Sequence, residues 1–82
     1  MSAANYCELI AGMARALVDQ PNLVEVAEYE GDQGAAIVEL RVAPDDIGKV
    51  IGKAGRTAEA MRVVLHAAST KTGQRVHLDI LD

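Results

Sequence analysis

Two glycines enclose a lysine and an alanine in Gly52-Lys53-Ala54-Gly55, and cations flank them: Lys49 three residues before Gly52, Arg56 directly after Gly55, Arg62 further on. Glycine has no Cβ, so it turns the chain sharply and lets another backbone come close. The apolar pattern on either side is helical, so the break falls where a second helix begins. Free N–H groups at a helix start carry partial positive charge and suit a phosphate oxygen. Backbone donors, a missing side chain and nearby cations describe a site for a phosphodiester backbone.

Other phosphate loops fit less well. A G-x-x-x-x-G-K-[ST] loop fails because Gly48 and Gly52 are one residue too close and Ala54 follows the lysine. No G-x-G occurs, which excludes a dinucleotide fingerprint. Both of those motifs also follow a strand, whereas this loop joins two helices. A Gly-x-x-Gly pair alone is often a plain elbow whose glycines cap. The surrounding cations and the setting between two helices favour phosphate contact.

Catalysis has little support. His66 and His77 stand eleven residues apart, on a helix and a strand, with no acid or nucleophile beside them. Cys7 lies in the first helix without a histidine near it in sequence and reads as buried and inert. Asp45 and Asp46 suit the start of a helix better than a metal, and Asp79 and Asp82 read as solvated. No metal-ligand spacing is present and no cofactor is implied.

The elements that must hold the loop follow from periodicity. Ala3 to Gln20 places Tyr6, Leu9, Ile10, Met13, Leu17 and Val18 on one helical stripe, stopped by Pro21 and Asn22. Leu23 to Glu30 alternates as a strand. Gly31-Asp32-Gln33-Gly34 turns, and Ala36 to Ala43 alternates again, with Val38, Leu40 and Val42 against Ile37, Glu39 and Arg41. The short turn predicts an antiparallel hairpin. Pro44-Asp45-Asp46 starts a two-turn helix carrying Ile47, Val50 and Ile51, which Gly52 and Gly55 end. Arg56 to about Thr72 is a further helix with a buried stripe of Ala58, Met61, Leu65 and Ala68, Val64 beside it. Gly73 closes that helix, and Val76 to Leu81 is a last strand, able to lie parallel to the second. The expected fold is a two-layer α+β domain, a three-stranded sheet covered on one face by three helices.

The chain has 82 residues, expected to form one domain over 1–82, with half of them apolar and neither Phe nor Trp. A single cysteine suits a reduced cytoplasmic setting, and the first twenty residues do not resemble a signal peptide. No stretch is long enough for membrane insertion. The net charge of −4 argues against a dedicated nucleic-acid binder, but it is unevenly spread. Pro44 to Arg75 holds six cations against three acids, a local +3; elsewhere Arg15 and Arg41 face nine acids, or −7. Local field matters more to an anionic partner than the total.

With the element order in place, IGKVIGKAGRTAEAMR resembles the signature of a KH domain, whose GXXG loop clamps single-stranded nucleic acid. The extra helix and strand ahead of the core are similar to the type II KH arrangement. Length and GKVIGKAGRT resemble the small single-domain bacterial KH proteins of the KhpA type. One departure is Ala58, where many KH domains carry isoleucine, which implies a shallower groove or different packing.

The resemblance implies non-catalytic binding of single-stranded RNA, as an RNA chaperone or post-transcriptional regulator. About four nucleotides would lie in the cleft. Gly52, Lys53, Ala54 and Gly55 would meet the backbone, with charge from Lys49, Arg56 and Arg62. Ile47 and Ile51 would form the floor and Arg41 an edge. It also implies homodimers, a larger KH-containing protein partner, and links to cell shape and division. Ala60, Val63 and Ala67 are a candidate contact, unless the first helix covers them. The alternative reading is a protein-interaction module on a KH scaffold with little or no RNA binding, which the acidic pI favours and the intact loop opposes.

Overall fold

The computed structural model describes residues 3–81; Asp82 lies outside the described residues. The chain runs α1 (Ala3–Leu17), β1 (Glu25–Glu30), β2 (Ala36–Arg41), α2 (Ile47–Ile51), α3 (Arg56–Thr70) and β3 (Val76–Ile80). Single 3-10 turns occupy Pro21–Leu23, Asp32–Gly34, Pro44–Asp46 and Lys53–Gly55. The expected α+β order is therefore the observed one.

The sheet order is β1-β2-β3. The hairpin is antiparallel, Glu25 opposite Arg41 through to Glu30 opposite Ala36. The last strand joins parallel to β2, from Ala36 opposite Val76 to Leu40 opposite Ile80. Strand alternation sends Val38, Leu40 and Leu78 into the core, where Tyr6, Ile10, Ala14, Val50, Met61 and Leu65 meet them. Tyr6 is fully buried, and its hydroxyl shares a 2.9 Å hydrogen bond with Thr72 Oγ1, so the core's one aromatic ring keeps its polar end satisfied. The helices all lie against this one face, α1 over β1 and β2 and α3 over β3.

Two helix ends and two residue placements differ from the sequence expectation. The first helix ends at Leu17 and not Gln20. Beyond it, the Asp19 and Gln20 N–H groups donate to the carboxylate of Asp46, at 3.3 and 3.1 Å, instead of continuing the helical ladder. Asp46 is accordingly 1% exposed and makes no side-chain cap on α2, contrary to the capping role expected of it. The last helix ends at Thr70, where Thr72 and Gly73 turn back to the carbonyls of Ser69 and Thr70. Val64, expected beside the buried stripe, is 42% exposed, because α1 and the sheet cover a narrower arc of α3 than the apolar residues span.

Among the described residues, no helix is long and apolar enough to cross a membrane.

Candidate nucleic-acid interface

Three of the four loop residues adopt positive φ: Gly52 at 76°, Ala54 at 58° and Gly55 at 75°. The two glycines are not equivalent. Gly52, at ψ 171°, occupies a region essentially closed to side chains. A Cβ there would sit 2.7 Å from Thr57 Cβ, 2.8 Å from Thr57 N and against Thr57 Oγ1. Gly52 is thus the place where α2 and α3 meet too closely for any other residue. Gly55, at ψ 11°, is in the ordinary left-handed well, and a Cβ there would meet nothing within 4 Å.

Hydrogen bonding within the turn is selective. Gly52 N–H donates to the Gly48 carbonyl, Gly55 N–H to that of Gly52, and Arg56 N–H to that of Lys53. The N–H groups of Lys53 and Ala54 find no carbonyl or side-chain partner among the described residues. Consecutive free donors in a left-handed turn form a concavity suited to an anion. Lys53 and Arg56 are both exposed, at the positive end of the α3 dipole. Cations there oppose the dipole and gain nothing for the isolated fold. A bound anion removes that conflict.

The other expected residues fall into three groups. Ile47 and Ile51 are half-buried beside the loop, Ile47 packed on the core, while Ala58 is buried and takes no part in an open floor. Lys49 is not a free cation. Its ammonium lies 3.1 Å from Asp19 and 3.7 Å from Asp46. The hydrogen bond to Asp19, helped by the charges of Asp19 and Asp46, holds its pKa above the usual lysine value. Arg41 does not converge on the loop: it stands in register with Glu25, in phase with Glu39 and Ile37, on the sheet face away from the helices. That register puts Arg41 across the sheet from the helices that frame the loop.

A concavity lies away from the loop itself. A groove of about 560 Å³ runs between α3 and the free edge of β3, lined among others by Arg62, His66, Arg75 and His77. Arg62, the lining residue of α3 nearest the loop, lies six residues beyond Arg56, roughly 9 Å along the helix. Its guanidinium reaches the Leu78 carbonyl on the free edge at 3.5 Å. The sequence reading found Arg62 but missed Arg75, His66 and His77. The only prior signal was Arg62 and His66 four apart on one helix, which says nothing of the strand that comes to face them.

On the outer side of α3, Ala60, Val63, Val64 and Ala67 are all exposed, Val63 at 58%. The first helix does not cover them. Cys7 is half-buried, and burial, with Glu28 nearby, pushes its thiol pKa up. No group of three or more His, Cys, Asp or Glu able to hold a metal occurs among the described residues.

A mixed three-stranded sheet under three helices, with a Gly-Lys-Ala-Gly turn between the last two, defines a KH domain in the type II order. The family model described as KhpA/KhpB, KH domain matches residues 7–80, and the chain belongs to that family. It is 54% identical to the RNA-binding protein KhpA of Halalkalibacterium halodurans, covering 90% of this chain and 96% of that one. The protein of the same name from Caldanaerobacter subterraneus is 51% identical, covering 90% and 97%. That of Treponema pallidum is 51% identical, covering 92% of each.

Two solved structures of Era share the fold. Aquifex aeolicus Era bound to GDP.AlF4- superposes with a TM-score of 0.66 at 20% identity, over 93% of this chain and 29% of that chain. Era in complex with MgGDPNP and nucleotides 1506–1542 of 16S ribosomal RNA gives 0.65 at 20% identity, over 92% and 28%. The chain spans less than a third of either Era chain.

Proposed function

We propose that this protein binds single-stranded RNA through the Gly52–Gly55 loop, by holding it and not by chemistry, as one KH domain over residues 1–82. The carrying observation is the pair of unengaged N–H groups at Lys53 and Ala54, set between exposed cations at the start of α3. Relatives about half identical along nearly the whole chain bear the name RNA-binding protein. In this reading the loop takes a phosphate, Lys53 and Arg56 supply the contacting charge, and Ile47 and Ile51 floor the site. The bases follow α3 into the groove past Arg62. Lys49 is engaged by Asp19 and Asp46, so in this reading it joins the site only when a phosphate draws it from those carboxylates.

With few cations on an acidic chain, one such site binds weakly, and salt weakens it further. The exposed Ala60, Val63, Val64 and Ala67 are related by three- and four-residue steps, as residues of a helix seam are. That stripe supports a homodimer or a larger KH-containing partner, whose second site raises avidity. A cytoplasmic role as an RNA chaperone or post-transcriptional regulator, with effects on cell shape, accords with this reading.

The test is a titration of a fluorescent single-stranded RNA pool at two salt concentrations. The wild type runs beside Lys53→Asp with Ala54→Asp, each checked for folding by circular dichroism. Binding that weakens with salt, and is lost in the folded variant, is the expected result. Equal binding by both proteins, or none by either, overturns the proposal and leaves the loop a structural elbow.

A further inference from the structure

Among the described residues, the helices cover one face of the sheet and leave the other bare. Its residues fall into cross-strand rows fixed by the register: Tyr29, Ile37 and His77 in one; Ala27, Glu39 and Asp79 in the next; Glu25 and Arg41 in the third. Tyr29 is 51% exposed, although a tyrosine beside an aliphatic neighbour gains by burial. Glu39 and Asp79 are directly opposite one another, an arrangement that costs stability. Among the described residues, none of the acids on this face lies within ion-pair distance of a cation. With three acids against Arg41, the face is net −2.

Between these rows lies a hollow of about 160 Å³, walled by Glu25, Tyr29, Glu39 and Arg41, with Ala27 on its floor. The small floor residue gives depth, the aromatic ring gives a flat wall, and Glu25 and Glu39 outnumber the one lining cation, Arg41. An arginine side chain matches all three: an aliphatic stem over Ala27, a guanidinium beside the Tyr29 ring, and a charge answering Glu39. The same acids repel phosphate, so nucleic acid does not fit here.

We infer that the bare sheet face docks a cationic segment of a partner protein, with one arginine seated in the hollow over Ala27 and an apolar neighbour on the Tyr29–Ile37 row. The site is on the opposite side of the sheet from the loop, so a partner held here leaves the RNA surface free. It stands whether or not the loop binds RNA.

The probe is a short synthetic peptide of alternating arginine and leucine, titrated into the ¹⁵N-labelled full chain and followed by amide chemical shifts. A matched peptide with citrulline in place of arginine keeps the shape and removes the charge. Saturable shifts confined to β1, β2 and β3 residues of the bare face are expected from the arginine peptide and not from the citrulline one. Glu39→Gln should weaken binding about fivefold. It relieves the repulsion with Asp79, so it should also melt no lower than wild type, which separates lost binding from lost folding. The inference fails if shifts scatter over every acidic surface, if they centre on α3, or if Glu39→Gln binds as tightly as wild type. It also fails if the free protein shows the same shifts on concentration, since the occupant would then be a second copy.

Discussion

Replacing Gly52 by alanine tests the reasoning about the loop most directly, because its neighbour Gly55 provides an internal control. At Gly52 two costs add. The backbone conformation, φ 76° and ψ 171°, costs a side-chain-bearing residue about 1–3 kcal/mol. The new Cβ also falls 2.8 Å from the Thr57 backbone nitrogen, so the first turn of α3 must move and not merely a flexible tip. Together the loss is about 3–4 kcal/mol. At Gly55 only the left-handed backbone is penalised, since nothing lies within 4 Å, and the loss is about 1 kcal/mol. Ala54→Gly, at φ 58°, removes the same strain and should gain about 0.5–1 kcal/mol. A domain of this size has on the order of 4–12 kcal/mol in all, so Gly52→Ala should be marginal and Gly55→Ala comfortably folded. Urea unfolding followed by circular dichroism gives the ranking, with unchanged m-values. Equal losses at the two glycines, within about 0.5 kcal/mol, would refute the argument from close approach.

Other outcomes follow from the same geometry. Asp46→Ala strips the Asp19 and Gln20 N–H groups of their acceptor and should cost about 3 kcal/mol, read as a melting point lower by roughly 10–20 °C; Asp46→Asn should fall between. A loss under about 0.5 kcal/mol would mean that the end of α1 is held by packing alone. Cys7 and Lys49 both have folded pKa values above their ordinary ones of 9.0 and 10.5. For each, the folded state keeps the proton longer, so its contribution is present below the ordinary value and lost as pH rises through the raised one. Stability should therefore be level up to about pH 8.5 and decline above it, with Cys7→Ser removing the earlier part of the decline. A profile unchanged by Cys7→Ser would refute that assignment.

Periodicity carried most of the fold because the apolar residues of each element have one consistent partner surface. Val38 and Leu40 alternate against Glu39 as a half-covered strand must, and the parallel place of β3 follows from its helical crossover. The loop was legible for a related reason: two glycines and two cations at a helix junction contradict local stability. What could not be read depends on residues far apart in the chain. The hold of Asp19 on Lys49 spans 30 positions, and the groove exists only once β3 lies beside α3. Arg41 is a different case. The strand period already set it with Glu39 and away from Leu40, and only the likeness to other clefts suggested otherwise. Val64 shows the limit of a helical stripe, since its width depends on what the neighbours happen to cover.

The parallel pairing of β2 with β3 also has a consequence for how the molecule assembles. The β1–β2 hairpin closes a loop of six positions, from Glu30 to Ala36, whereas the β2–β3 ladder begins with residues forty positions apart, Ala36 and Val76. Closing the longer span costs about 1.5–2 kcal/mol more chain entropy before any contact repays it. The glycine turn sits in the middle of that span. The turn's own hydrogen bonds are local, but the two helices it joins meet the sheet only through long-range closure, so a chain that has formed its hairpin has not yet placed the turn against the rest of the fold. A ligand that fixes the turn shortens the free chain to be closed on either side, so occupancy of the loop should be felt as cooperativity across the whole sheet.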